Sequence, residues 1–117
     1  MYSRIDVTPA VHNAVGSVID NTDANLALID AMANAVATGA TVHIEDPYRR
    51  SRRIIVRNDA MATAPWAHIR VSCATGRVIS AQISMADPAK PGWATSSTCR
   101  RAEDVTGALR AHFVSAD

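Results

Sequence analysis

The sequence predicts a single α+β domain spanning residues 1–117. Two N-terminal helices and one C-terminal helix are expected to pack on one face of a four-stranded antiparallel meander. Three observations carry this. Apolar residues recur at helical spacing up to Gly39 and alternate after it, which marks a change from helix to strand. Two of the alternating runs are joined by only Ala74-Thr75-Gly76, close enough for a hairpin. The length of 117 residues suits one domain, which can remove roughly two-thirds of its unfolded surface from water.

From the N-terminus, Tyr2 to Val7 alternates weakly, so a short edge strand there is optional. Thr8-Pro9 reads as an N-cap followed by proline at the first helical position, where its missing N–H costs nothing. Val11, Val15, Val18 and Ile19 then predict a helix over about Pro9–Asp20. Asn21-Thr22-Asp23 breaks and recaps the chain, and a second helix runs to about Thr38 with Gly39 as its stop. The polar residues Asn25, Asp30, Asn34 and Thr38 form only a narrow stripe on it. Such a helix is expected to be buried or shared with a second copy of the chain.

Four strands follow, at Thr41–Glu45, Arg53–Arg57, Trp66–Cys73 and Arg77–Ser84. Ala67, Ile69, Val71 and Cys73 should face inward on the third, and Ile79, Ala81 and Ile83 on the fourth. A three-residue loop with Gly76 left-handed pairs Val71 with Ile79 and Ile69 with Ala81, keeping the apolar residues on one face. Met85 to about Arg101 reads as a long polar loop with Pro88, Pro91 and Gly92. The last helix covers about Arg101–Ser115 and should bury Val105, Leu109 and Phe113, with Glu103 and Asp104 favourably placed at its dipole.

Composition narrows the core. The hydrophobic class makes up 48%, but 22 of those residues are alanine and only 24 are Leu, Ile, Val or Phe. A small aliphatic core with close backbone approach is expected. The apolar share and a net charge of only +1 argue against a disordered chain. No run approaches a membrane span and no secretory h-region is seen, so the expected setting is cytoplasmic with both cysteines reduced. Cys73 is expected in the core, and Cys99, beside Arg100 and Arg101, to be somewhat reactive.

The near-neutral total conceals a partition. Residues 1–46 carry a balance of −5, residues 47–101 carry +8, and the remainder −2. Eleven of the twelve basic residues are arginine. Four of these fall in Arg49-Arg50-Ser51-Arg52-Arg53, a loop expected to project into solvent. Alternation puts His43, Glu45, Arg53, Ile55, Arg57, Trp66, His68 and Arg70 on the sheet face opposite the helices. Guanidinium groups bind phosphates bidentately and aromatic rings stack on bases. Tyr48, Arg49, Arg50, Arg52, Arg53, Arg57, Trp66, Arg70, Trp93, Arg100 and Arg101 are therefore the candidate partner-binding residues. The partner expected is nucleic acid, or an acidic or nucleoprotein surface.

Catalytic motifs are scarce. His43-Ile44-Glu45 matches the H-x-E fragment of zinc deaminases, but Cys73 and Cys99 are too far apart to supply the remaining ligands. No metal-ligand spacing, P-loop or nucleophile elbow occurs, so neither a metal nor a cofactor is expected. One enzymatic alternative stands: metal-independent RNA cleavage, with His43, Glu45, His68 and Arg70 as general base, general acid and phosphate-binding cation. Two helices followed by an antiparallel meander looks like the element order of small bacterial ribonuclease toxins, a resemblance without a shared motif. The leading expectation is a non-enzymatic binding protein, of the size of phage or mobile-element regulators and inhibitors. A protein–protein adaptor, homodimeric through the second helix, is the third.

Overall fold

The computed structural model describes residues 8–114. Two helices, α1 (Thr8–Gly16) and α2 (Asp23–Ala37), precede strands β1 (Thr41–Ile44), β2 (Ser51–Arg57), β3 (Trp66–Ser72), β4 (Val78–Ala86) and β5 (Ala94–Cys99), and α3 (Ala102–His112) closes the order. The strands form one antiparallel sheet in sequential order, β1 to β5. This is the α+β meander with helices on one face that the sequence predicts. The optional strand at Tyr2–Val7 lies outside the described residues. Among the described residues no helix is long and apolar enough to cross a membrane.

Helix α2 is the middle of the helical layer, packed against α1 on one side and α3 on the other. Thr22 caps it, its hydroxyl accepting the Asn25 N–H at 3.2 Å. At the other end Gly39 sits at φ +113°, and the Gly39 and Ala40 amides donate back to the carbonyls of Val36 and Ala35. That paired closure satisfies carbonyls the helix would otherwise leave open. Leu28, Ile29, Ala31, Met32, Ala33 and Ala35 are all buried. Most of the apolar surface that raised the prospect of a second copy on α2 is thus taken up within the chain, with Leu26 left 39% exposed. Its alanines let the neighbouring helices approach closely, which is how an alanine-rich sequence builds a core.

The sheet contributes Ile54, Val56, Ala67, Ile69, Val71, Ala81 and Ile83 to the same core, and α3 contributes Val105 and Leu109, with Phe113 just beyond it. Asn58 is a fully buried polar side chain within it. Its amide donates to the Phe113 carbonyl at 2.8 Å and its oxygen accepts the Ala60 N–H at 3.2 Å, tying the end of β2 to the end of α3. Asn58→Ala strands the Phe113 carbonyl in the core. Thermal or urea unfolding should show a loss of about 1–3 kcal/mol.

Four local expectations are corrected. Helix α1 stops at Gly16 rather than near Asp20, because the Asp20 N–H is drawn away to the Gly76 carbonyl at 2.9 Å. The register between β3 and β4 shifts between Arg70 and Val71, so Val71 pairs with Val78 and not with Ile79. This bulge makes Ile79 the extra residue, and it is 43% exposed instead of inward. Strand β3 ends at Ser72, which leaves Cys73 exposed in the hairpin and not in the core. Finally, the segment Met85–Arg101 is not one loop: β4 continues to Ala86, a short turn follows, and Ala94–Cys99 forms β5. Its residues Ala94-Thr95-Ser96-Ser97-Thr98 are all exposed, so the apolar alternation that identifies a strand is missing from it.

Candidate functional site

Because consecutive strands run antiparallel, the β1–β2 turn, the β3–β4 hairpin and the exit from β5 all lie at one end of the sheet. A bond from the Cys73 N–H to the Arg50 carbonyl, 2.9 Å, joins the first two directly. Arg49, Arg50, Arg52, Arg53, Arg70, Arg77, Arg100 and Arg101 all fall at this end, eight of the eleven arginines. Arg57 lies at the opposite end and is paired with Asp59 at 3.4 Å. The basic stretch of the sequence is thus gathered largely at one end in space, where Asp20, Glu45, Asp46 and Glu103 also lie.

Among the described residues no helix packs on the outer face of the sheet, and the strand register arranges its side chains in rows. One row runs Thr41, Arg57, Trp66, Ser84, Ser96; the next runs His43, Ile55, His68, Gln82, Thr98; a third places Arg53 directly opposite Arg70, with Ser80 beyond. Like charges directly opposed across strands are destabilising. Glu45 relieves part of that by pairing with the Arg53 Nε. Arg53 also reaches the His68 Nδ1 at 3.5 Å, and Arg70 donates to the Ser51 hydroxyl at 3.1 Å. The Trp66 and His68 rings lie 4.5 Å apart, tilted by 40°.

The predicted residues meet these arrangements unevenly. Tyr48, Arg52, Arg53 and Arg70 come together, with Glu45, Asp46 and Ser51, around a cleft of about 320 Å³. Arg52 has the helix-side parity of β2, unlike Arg53, yet reaches that cleft from the sheet's end. Arg100 and Arg101 line a separate cavity of about 360 Å³ together with Arg77, a residue that sequence reasoning missed. Arg77 is isolated in the sequence, and only the hairpin brings it to the other two. Trp93 stands apart, in the β4–β5 turn at the other end, 70% exposed. Among the described residues Arg49, Arg50, Arg52, Arg70, Arg77 and Arg100 make no ion pair. The acids of the helical layer meet the arginine end only in part: Glu103 of α3 pairs with Arg101 at 3.8 Å, Asp20 and Glu103 line the Arg77, Arg100 and Arg101 cavity, and Asp30 pairs with His12 instead.

Of the four residues considered for RNA cleavage, Glu45, His68 and Arg70 gather around Arg53, and His43 alone stands apart. Glu45 is linked to His68 through Arg53, but His43 is separated from His68 by Ile55, two strand spacings or about 10 Å away. Burial, then the Arg53 guanidinium, holds His68 below its usual range, with Glu45 opposing and Arg57 adding to the effect. Since the folded value lies below the unfolded one, the unfolded chain takes up this proton first as pH falls. The stability His68 contributes is full above the unfolded value of 6.5 and is lost toward the depressed folded value. The Tm should fall more steeply below that pH in the wild type than in His68→Gln.

Comparison with protein families, with curated proteins and with solved structures finds no match. Function must be read from the site itself. Among the described residues no three His, Cys, Asp or Glu side chains gather as metal ligands would. Cys99 is half-buried, and burial followed by Asp104 pushes its thiol upward, away from the reactive thiolate expected beside Arg100 and Arg101.

The arginine turn carries a further signal. Tyr48 and Ser51 close a two-residue turn in which Arg49 sits at φ +60°, with its guanidinium 5.5 Å from the Tyr48 ring centre. A side chain in this left-handed conformation costs about 1 kcal/mol that glycine avoids. Arg49→Gly should therefore raise the Tm while weakening the binding of a polyanion, an opposed pair of effects that a purely structural arginine would not produce. Thermal melts and titrations of the same variant check both halves.

Proposed function

We propose that this chain is a non-enzymatic binding protein for nucleic acid, which it engages through the arginine end and the outer face of its sheet. The observation that supports this most is the Arg53–Arg70 pair. Two guanidinium groups are directly opposed on an uncovered face, at the end that gathers eight arginines, most of them without an acidic partner among the described residues. A bound phosphate turns that repulsion into bidentate contacts. A small regulator or inhibitor working by occupancy fits such a surface, and a reducing, cytoplasmic setting fits two free thiols. The reading needs no second copy of the chain.

The test is affinity against salt. Binding to nucleic acid should weaken linearly in log–log form as salt rises, and elution from heparin should need well above ~0.2 M salt. Capture of a partner from a native lysate that survives nuclease treatment, with no direct nucleic-acid binding, would replace nucleic acid by an acidic protein surface. Total RNA incubated with the protein in EDTA should remain intact. Cleavage that His68→Gln abolishes would favour the ribonuclease alternative instead.

A further inference from the structure

Aromatic residues make up only 4% of the chain, and their placement is uneven. Of the four Phe, Trp and Tyr residues described, Phe113 alone is in the core. Trp66 lies on the outer face beside His68, and Tyr48 and Trp93 are 73% and 70% exposed at opposite ends of the sheet. Large aromatic side chains are among the strongest contributors to a core, and this one is filled instead with alanine, valine and isoleucine. Three rings are left where a ligand meets them.

We infer that the outer face takes single-stranded nucleic acid, with bases stacked on Trp66 and His68 and phosphates held from the Arg53–Arg70 end. The inference rests on the nucleic-acid reading above and deepens it by naming the strandedness. Trp66 is half-buried and laid against its neighbours: Ser84, directly opposite, is only 5% exposed, and the indole is the largest side chain beside it on that face. The half-buried indole, with the His68 ring 4.5 Å away, keeps part of its aromatic surface open to a ligand. An unpaired base stacks on such a surface, whereas bases in a duplex are already stacked on one another. The sheet also does not fit a groove. Four strand spacings make it about 19 Å wide, against about 12 Å for the major groove, which admits a helix or a two-stranded ribbon. Duplex would touch this surface through phosphates alone. A protein hot spot fits less well, since the cleft of about 280 Å³ on this face is lined mainly by Arg53, His68, Arg70, Ser80, Gln82 and Thr98, cationic and polar groups rather than the walls an apolar anchor needs.

The experiment uses the full chain carrying Trp93→Phe, which keeps a ring at position 93 and leaves Trp66 as the sole tryptophan. It is titrated with an oligonucleotide of about 12 residues and with the matching duplex. The single strand should quench Trp66 emission to saturation and bind at least about 10-fold more tightly than the duplex. In the wild-type background Trp66→Ala should lower single-strand affinity by about 10-fold with the salt slope unchanged, while Trp66→Phe retains most of it. Trp66→Leu replaces the alanine variant should circular dichroism show that it does not fold. Equal affinity for the two forms, or binding that leaves Trp66 emission unchanged, overturns the single-strand inference but leaves nucleic-acid binding standing. Binding to neither form, with retention of the protein by an acidic polypeptide, overturns both.

Discussion

Replacing Arg49, Arg50 and Arg70 together with alanine should weaken single-stranded nucleic-acid binding by about 10²-fold at ~0.1 M salt, and lower the salt slope by about 2. Each phosphate contact on a single strand releases about 0.7 of a counterion, so losing one contact near that salt costs about 5-fold. These three arginines are exposed and form no ion pair among the described residues, so their charge is available to a ligand. Arg53 should contribute less than Arg70, because Glu45 already neutralises it. Lys90→Ala with Arg110→Ala removes charge in the β4–β5 turn and in the last turn of α3, and should leave the slope nearly unchanged. An equal loss from that control would mean that net charge, and not the arginine end, governs binding.

Gly76→Ala should be the most damaging single substitution in the β3–β4 hairpin, costing about 3–5 kcal/mol and lowering the Tm by roughly 10–20 °C. Two effects combine. Gly76 sits at φ +72°, where a side chain is strained by about 1–2 kcal/mol. An added Cβ would also lie 2.5 Å from the Asp20 nitrogen and 2.9 Å from the Ile19 carbonyl carbon. Those are backbone atoms, and moving them breaks the bond from the Asp20 N–H to the Gly76 carbonyl that fastens the α1–α2 connection to the hairpin. Gly92→Ala separates the two effects. It has a similar φ of +86° but nothing within 4 Å of a Cβ, so it should cost only about 1 kcal/mol. Equal losses in thermal unfolding would show that the close approach to α1–α2 contributes nothing.

Much of the fold is legible because burial on one face writes itself into the chain. Val105, Leu109 and Phe113 recur at helical spacing and are all buried, and the alternation from Trp66 to Val71 places Ala67, Ile69 and Val71 inward as expected. Strand β5 was not legible for the converse reason. It pairs with β4 through its backbone while all but one of its side chains face solvent, so nothing in its residue pattern records the pairing. The bulge at Arg70/Val71 was hidden as well. It exchanges Val78 for Ile79 on the inner face, two β-branched residues that read alike in a sequence.

The candidate site divides along the same line. The sequence by itself determined that the basic residues are concentrated between Pro47 and Arg101 and that Arg53, Trp66, His68 and Arg70 share a face, since both follow from order and alternation. Only the tertiary structure decided that eight arginines meet at one end, that Arg77 joins Arg100 and Arg101, and that His43 stands two strands from His68. The physical reason is the meander. It returns the chain to the same end of the sheet at every second turn, so residues dozens of positions apart become neighbours through backbone pairing that side-chain pattern does not encode.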